Sequence, residues 1–223
     1  MFCSEGEVIK FNYSLNEIGA IIGIDLAMYH TGMSVYDVHQ GFFAEFIPIT
    51  VKNNSECKFS DLYDMLTTEF RRISHIYGRI MVVQERLPNQ GGVHSTVQTL
   101  QSLAQAHAIM ELAVHNSNNV ELYDEHGIHS TSVKALFKTP DCPKPQKSDI
   151  RKALVKEYQL DDSKLTDDVS DSIAVVHTLL TKRWNQDIDE RIKELKKEIK
   201  NLKVAHAKEQ RQAEIDKLSQ MKN

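Results

Sequence analysis

The chain has 223 residues, of which 41% are hydrophobic and 26% charged, with a formal net charge of −4. That is enough apolar material for one packed domain with or without an appendage, and too much for a chain disordered throughout. The acidic balance excludes a uniformly basic nucleic-acid coat protein. The mean hides an asymmetry. Residues 182–223 hold 12 Lys and Arg against 8 Asp and Glu, a balance of +4, whereas residues 1–181 hold 15 against 23, a balance of −8. An acidic body with a basic tail suggests that the body collects carboxylates for a purpose. Cys3, Cys57 and Cys142 are far apart and odd in number, which argues against a zinc ribbon or redox dithiol and for a reducing compartment. The first residues have neither the basic nor the apolar region of a signal peptide, and no apolar run approaches the ~18 residues of a membrane span. The expected location is the cytoplasm.

Residues 1–18 read as an N-terminal extension of mixed character. Gly19–Asp25 is a short β-branched apolar run ending in a carboxylate, the pattern of a buried strand. Met33–Val38 alternates, His39-Gln40-Gly41 forms a turn, and Phe42–Ile49 follows as a third strand of an antiparallel meander. Apolar residues at 59, 62, 63, 66, 70, 73 and 76 have helical spacing. Ile80–Val83 is another apolar run and leads to Glu85; Pro88–Gly92 is a loop. Residues 95–115 are helical, with apolar positions 97, 100, 103, 104, 108 and 112, and Val120–Tyr123 reads as a fifth strand. After an irregular loop marked by Pro140, Pro143 and Pro145, Ser148 is placed to cap a helix to about Tyr158, and Thr166 one from Asp167 to about Arg183. The order predicts an α/β domain over residues 19–183, with a mixed five-stranded sheet flanked by helices.

Residues 184–223 read as a helical tail. Ile188, Ile192, Leu195, Ile199 and Leu202 form a heptad seam about two heptads long, short of the three or four that define a coiled coil. Packing within the chain, self-association and DNA contact by the lysines are all open to it.

Asp25 and Glu85 end apolar runs, and Asp168 and Asp171 stand three apart near a helix start, on one helical face. Strand ends facing that helix start would bring the four together. Closely packed carboxylates repel unless a cation neutralises them, and all-oxygen sets suit Mg²⁺ or Mn²⁺. Two such ions serve phosphodiester hydrolysis. Taken singly, each carboxylate equally fits a cap, a helix-dipole partner or a loop residue. Residue types and spacing alone leave a metal-dependent nuclease as one option among several.

The ordered combination is more specific. Gly23-Ile24-Asp25, then Thr31-Gly32, then Val83-Gln84-Glu85, then Asp168-Val169-Ser170-Asp171-Ser172-Ile173-Ala174-Val175 resembles the RuvC family of Holliday-junction resolvases over roughly residues 19–181. The resemblance implies a ribonuclease H-like fold with Asp25, Glu85, Asp168 and Asp171 as ligands of two Mg²⁺ or Mn²⁺ ions. Lys147-Ser148-Asp149-Ile150 is similar to the family segment whose lysine lies beside the scissile phosphate, so Lys147 is expected at the phosphate, against the reading of an ordinary exposed lysine. A second family lysine falls near His129, with Lys134 as its substitute. Arg86 and Leu87 follow Glu85 where the family touches DNA; the family's aromatic wedge is replaced by Pro88, and its Pro-Gly after the first Asp by Leu26-Ala27. Sequences of this divergent kind resemble phage-type or low-GC bacterial members.

The resemblance further implies a homodimer that resolves four-way DNA by paired nicks, leaving 5′-phosphate and 3′-hydroxyl ends, with the 95–115 helix as dimer element. Gln98, Gln101 and Gln105 are either phosphate contacts or solvated helix positions. His94, His107 and His177 read as structural. Three alternatives stand beside this: a nuclease of the same fold acting on RNA or replication forks, an actin-like ATPase or sugar kinase, and a non-catalytic binding protein of the same fold, which the presence of all four carboxylates disfavours. The second needs a glycine-rich phosphate turn after the first strand, and Leu26-Ala27-Met28-Tyr29-His30 has no glycine.

Overall fold

Short apolar runs become strands only when they find partners, and here five pair into one sheet. The structure, a computed structural model, describes residues 17–87, 96–123, 127–201 and 205–222. Strands β1 (Ala20–Asp25), β2 (His30–Asp37), β3 (Phe42–Thr50), β4 (Ile80–Gln84) and β5 (Val120–Leu122) lie in the order β3-β2-β1-β4-β5. The first three form the expected antiparallel meander, whereas β4 and β5 run parallel to β1. Asp37 makes the first turn. Its Oδ1 accepts from the backbone N–H groups of His39 and Gln40 at 2.9 Å each, the local competition with regular structure for which Asp suits turns. β2 begins at His30, earlier than its alternation indicates, because Thr31 and Gly32 pair with Ile49 and Pro48 of β3.

One face of the sheet carries the main core. Ile22, Ile24, Met33, Val35, Ile80 and Val82 pack with Leu62, Leu66, Phe70 and Ile73 of α1 (Lys58–Tyr77) and Ala106, Met110 and Ala113 of α2 (Val97–His115). Each of the larger of these side chains contributes about 1.5–3 kcal/mol of burial. α1 buries the face its spacing predicts. α2 does not. The apolar positions 97, 104, 108 and 112 are exposed, and the helix enters the core through Ala106, His107, Met110, Ala113 and Val114. A helix apolar on two sides has no single stripe from which orientation can be read.

Beyond β5 come α3 (Ser130–Leu136), which the sequence reading lacked, α4 (Lys147–Tyr158), a short 3₁₀ turn at Asp162–Lys164, α5 (Asp167–Asn201) and α6 (Ala205–Gln220). α4 is capped not by Ser148, which lies inside it, but around Gln146, whose N–H donates to Asp149 Oδ2 at 2.9 Å. Thr166 caps α5 as expected, its Oγ1 accepting from Val169 N at 3.2 Å. The helix does not stop near Arg183. No glycine or proline follows within it, and it continues to Asn201.

The chain divides into two compact units, which among the described residues begin at Glu17 and at Leu179. In the second, the end of α5 and α6 run antiparallel. Arg191 pairs with Glu214 at 3.1 Å and Arg211 with Glu198 at 3.0 Å, while Trp184 Nε1 donates to the Met221 carbonyl at 3.4 Å. Ile188 and Leu195 of the heptad seam and Ile215 of α6 are buried. Ile192 and Ile199 of the seam are half-buried, and Leu202 lies outside the described residues. No helix among the described residues is long and apolar enough to cross a membrane.

Candidate active site

The pleat of β1 sorts its residues. Ile22 and Ile24 enter the α1/α2 core, so Gly23 and Asp25 face the opposite side. On β2, Ser34 stands opposite Gly23, and Gly32 opposite Asp25. Across this surface runs the start of α5, closer than any side chain would permit. A Cβ on Gly32 would lie 2.1 Å from the Asp168 carbonyl carbon, and one on Gly23 would lie 2.2 Å from the Ser172 carbonyl oxygen. The two glycines thus let the helix seat directly on the strands, with the Asp168 backbone against the residue paired with Asp25.

Glu85 reaches the same end of the sheet along β4. Gly23 is in register with Val83 and Ile24 with Gln84, which puts Glu85 one residue past the ladder, level with Asp25. Its backbone is bridged in parallel to Ile128. Ile128 N donates to Gln84 O at 2.8 Å, and Arg86 N to Ile128 O at 2.7 Å. The segment held in this way leads into α3, which brings the Ser130 hydroxyl and Lys134 to Glu85.

The charges register this convergence. Burial, followed by the charges of Asp171 and Glu85, pushes the Asp25 carboxyl up from its ordinary 3.8 to about 7; Asp168 adds to the rise and Lys147 opposes it. Burial and then Asp171 also hold Glu85 above its ordinary range, against the Lys147 charge, the Ser130 hydrogen bond and Lys134. The opposing cation is Lys147, the first residue of α4, whose Nζ donates to Asp171 Oδ2. Burial lowers the lysine, but its bond to Asp171 and the charges of Asp171, Asp25 and Glu85 outweigh that and raise it. The Lys147 side chain is 70% exposed against 19% for Asp171, so its ammonium covers an inward carboxylate from the solvent side.

The donor set is all-carboxylate, hard oxygen chemistry that fits Mg²⁺ or Mn²⁺ and not a thiolate or imidazole metal. Among the described residues, no three acidic, imidazole or thiol side chains stand close enough to grip an ion outright. The carboxylates repel each other across the site and Lys147 occupies one of them. Carboxyl pKa values raised by burial and by neighbouring carboxylates mark a functional-site candidate.

Of the other residues predicted for DNA contact, Lys134 acts on Glu85. His129 precedes α3 and has Nδ1 3.4 Å from Thr131 Oγ1. Arg86 and Leu87 follow Glu85 and are half-buried. Gln98, Gln101 and Gln105 are exposed on α2. His107 is buried and burial lowers its pKa. His177 is buried too, with Nδ1 2.9 Å from the Tyr158 hydroxyl. His94 and the 88–92 loop lie outside the described residues.

Two residues were missed. Ser130 stands at the start of the unexpected α3. Arg151 lies one turn beyond Lys147 on α4 and clamps the entry to α5. Its guanidinium donates to Asp162 Oδ1 at 2.7 Å, to Asp162 O at 2.9 Å, to Leu165 O at 2.8 Å and to Asp167 Oδ1 at 3.2 Å. Asp167 is thereby turned to Arg151, while Asp168 meets Gly32. The i, i+4 relation of Lys147 and Arg151 was the available signal.

A sheet ordered β3-β2-β1-β4-β5, antiparallel through β3-β2-β1 and parallel through β1-β4-β5, with helices on both faces, is a ribonuclease H-like α/β fold. No family model matches the chain, and no curated protein sequence matches it significantly. Solved structures do. A Thermus thermophilus RuvC in complex with Holliday junction substrate aligns with a TM-score of 0.54 and 13% identity, over 71% of this chain and 90% of that one. A second Thermus thermophilus RuvC structure aligns at 0.53 and 12%, over 71% and 92%. The yeast mitochondrial Holliday junction resolvase Ydc2 aligns at 0.50 and 10%, over 73% and 77%. At such identities the likeness is one of fold.

Proposed function

We propose that this protein is a divalent-metal-dependent endonuclease of branched DNA that resolves four-way junctions by paired nicking, as a homodimer. The observation that carries this reading is the convergence of Asp25, Glu85 and Asp171, from two strand ends and a helix start, where burial first and then the neighbouring carboxylates push Asp25 to about 7, with Lys147 at their edge. The fold neighbours add support, since one was solved with a Holliday junction substrate and another is a Holliday junction resolvase.

In this reading Asp25, Glu85, Asp168 and Asp171 hold two Mg²⁺ or Mn²⁺ ions. Such ions supply Lewis-acid activation of the attacking water and of the departing oxygen. The chain's own residues do the rest. β1, β4 and α5 orient the carboxylates. Ser130 and Lys134 oppose the rise in the Glu85 pKa that burial and Asp171 cause. Lys147, raised in pKa and therefore charged, turns from Asp171 to the scissile phosphate as a mobile point charge. Opposed cuts need two sites, and the outer face of α2, with Val97 73% and Leu112 51% exposed, is the surface for self-association. The turn after Asp25 does not suit an ATPase, because Leu26 and Met28 are buried apolar residues and not a glycine cradle for phosphate.

The test is incubation with labelled four-way junction, linear duplex and ATP, with Mg²⁺, Mn²⁺ or EDTA. Paired nicks confined to the junction and to metal are expected. ATP turnover without nicking would overturn the reading.

A further inference from the structure

We propose that Lys193, Lys196 and Lys197 of α5 form a second nucleic-acid contact, which takes the phosphate backbone of a duplex arm; the role at a branched substrate rests on the nuclease reading above. The charges of the second unit are sorted by position. Two of its arginines are used internally. Arg191 pairs with Glu194, Glu198 and Glu214, and Arg211 with Glu198 and Glu214. Lys222 takes Asp189 at 2.5 Å. Four acidic residues are thereby neutralised by two arginines and one lysine.

The three lysines stand apart from this network. All are exposed, and none enters an ion pair among the described residues. At 3.6 residues per turn they share one face, away from the buried Ile188 and Leu195. With Asp189 and Ile192 they line a shallow depression. Like charges three and four apart on a helix repel. Of the acidic residues beside the stripe, Asp189 is taken by Lys222 and Glu194 by Arg191, which leaves the lysines positive charge to offer a polyanion.

The chemistry selects the occupant. A helix that lies in a membrane surface needs an exposed apolar face beside its lysines. Here Ile188, Leu195 and Ile215 are already buried. The stripe offers three exposed ammonium groups, with its aspartate, Asp189, already held by Lys222 and its apolar residue, Ile192, half-buried, which fits a phosphate backbone better than a protein surface.

The experiment uses the full chain. The Lys193→Glu, Lys196→Glu, Lys197→Glu triple variant and the milder triple Gln variant are compared with the original protein. Affinity for a four-way junction and for a linear duplex is measured in EDTA across a salt series, with helicity followed by circular dichroism. Each lost phosphate contact removes about 0.9 from the log–log salt slope, so the Gln variant should bind with a slope shallower by about 2–3 and at least ~10-fold more weakly at low salt. The Glu variant should bind more weakly still. Unchanged slope and affinity in the folded Gln variant overturn the proposal. So does lysine-dependent sedimentation with phosphatidylserine vesicles when DNA binding is unaffected. The two readings fail separately: lysine-dependent duplex binding by a protein that never nicks a junction would sink the nuclease and keep the contact.

Discussion

At the scale of single residues the decisive one is Asp25. Folded, it holds its proton up to about 7; the unfolded chain releases it near 3.8. Between those values the folded state binds a proton that the unfolded state has lost. Asp25 therefore contributes stability that is complete below about 3.8 and is lost as pH rises through 7. Glu85, shifted in the same direction, adds to this trend. In EDTA, the melting temperature should rise as pH falls from 8 to 6, and a decrease over that range would contradict the electrostatics. Asp25→Asn should flatten the dependence and raise the melting temperature at pH 8. It should also abolish the increment given by Mg²⁺ or Mn²⁺, because the charge that metal would discharge is gone. Lys147 is the counterpart. In the proposed mechanism Lys147→Gln should cost about 100-fold in single-turnover cleavage, with junction affinity within a few-fold, the scale expected for one charge-stabilising group.

At the scale of elements, the site depends on how closely α5 lies on the sheet. Gly32→Ala places a methyl 2.1 Å from the Asp168 carbonyl carbon, where backbone and not a flexible side chain must yield. Destabilisation of about 2 kcal/mol or more in urea unfolding is expected, together with loss of cleavage, since the helix that carries Asp168 and Asp171 moves. α2 shows the opposite relation between pattern and packing. Its most regular apolar stripe is the exposed one. Leu112→Glu should halve the mass of the proposed dimer in light scattering and replace paired nicks with single ones. A dimer that persists would place self-association elsewhere.

At the scale of the whole molecule, the net charge of −4 comes from an acidic first part and a basic tail. Four of the acidic charges are those assigned to the proposed metal site, and two divalent ions would bring the formal total to zero. Neutralising a site carboxylate removes repulsion toward phosphate. Asp171→Asn should therefore abolish cleavage while junction affinity, measured by gel shift in EDTA, is kept or improved. Affinity lost in parallel with cleavage would mean that the carboxylate serves structure instead.

Much of this protein was legible in its sequence because the information is local. The apolar runs of β1 and β4, the turn at Asp37, the cap at Thr166 and the spacing of Asp168 and Asp171 depend on neighbours a few residues away. The order of the four carboxylates along the chain was likewise visible. Other features depend on residues far apart and had no local trace. Which side of α2 is buried was decided by the sheet it meets. α5 outran its expected end because nothing in its sequence stops a helix and α6 pairs with it through Arg191–Glu214 and Arg211–Glu198. Lys147 found Asp171, and Arg151 found the entry to α5, only through the packing of α4 beside that helix. The sequence by itself determined which carboxylates and lysine are the candidates for the chemistry and their order along the chain. The tertiary structure decided what they meet, because burial and Coulomb interaction act through space, and only the folded chain sets those distances.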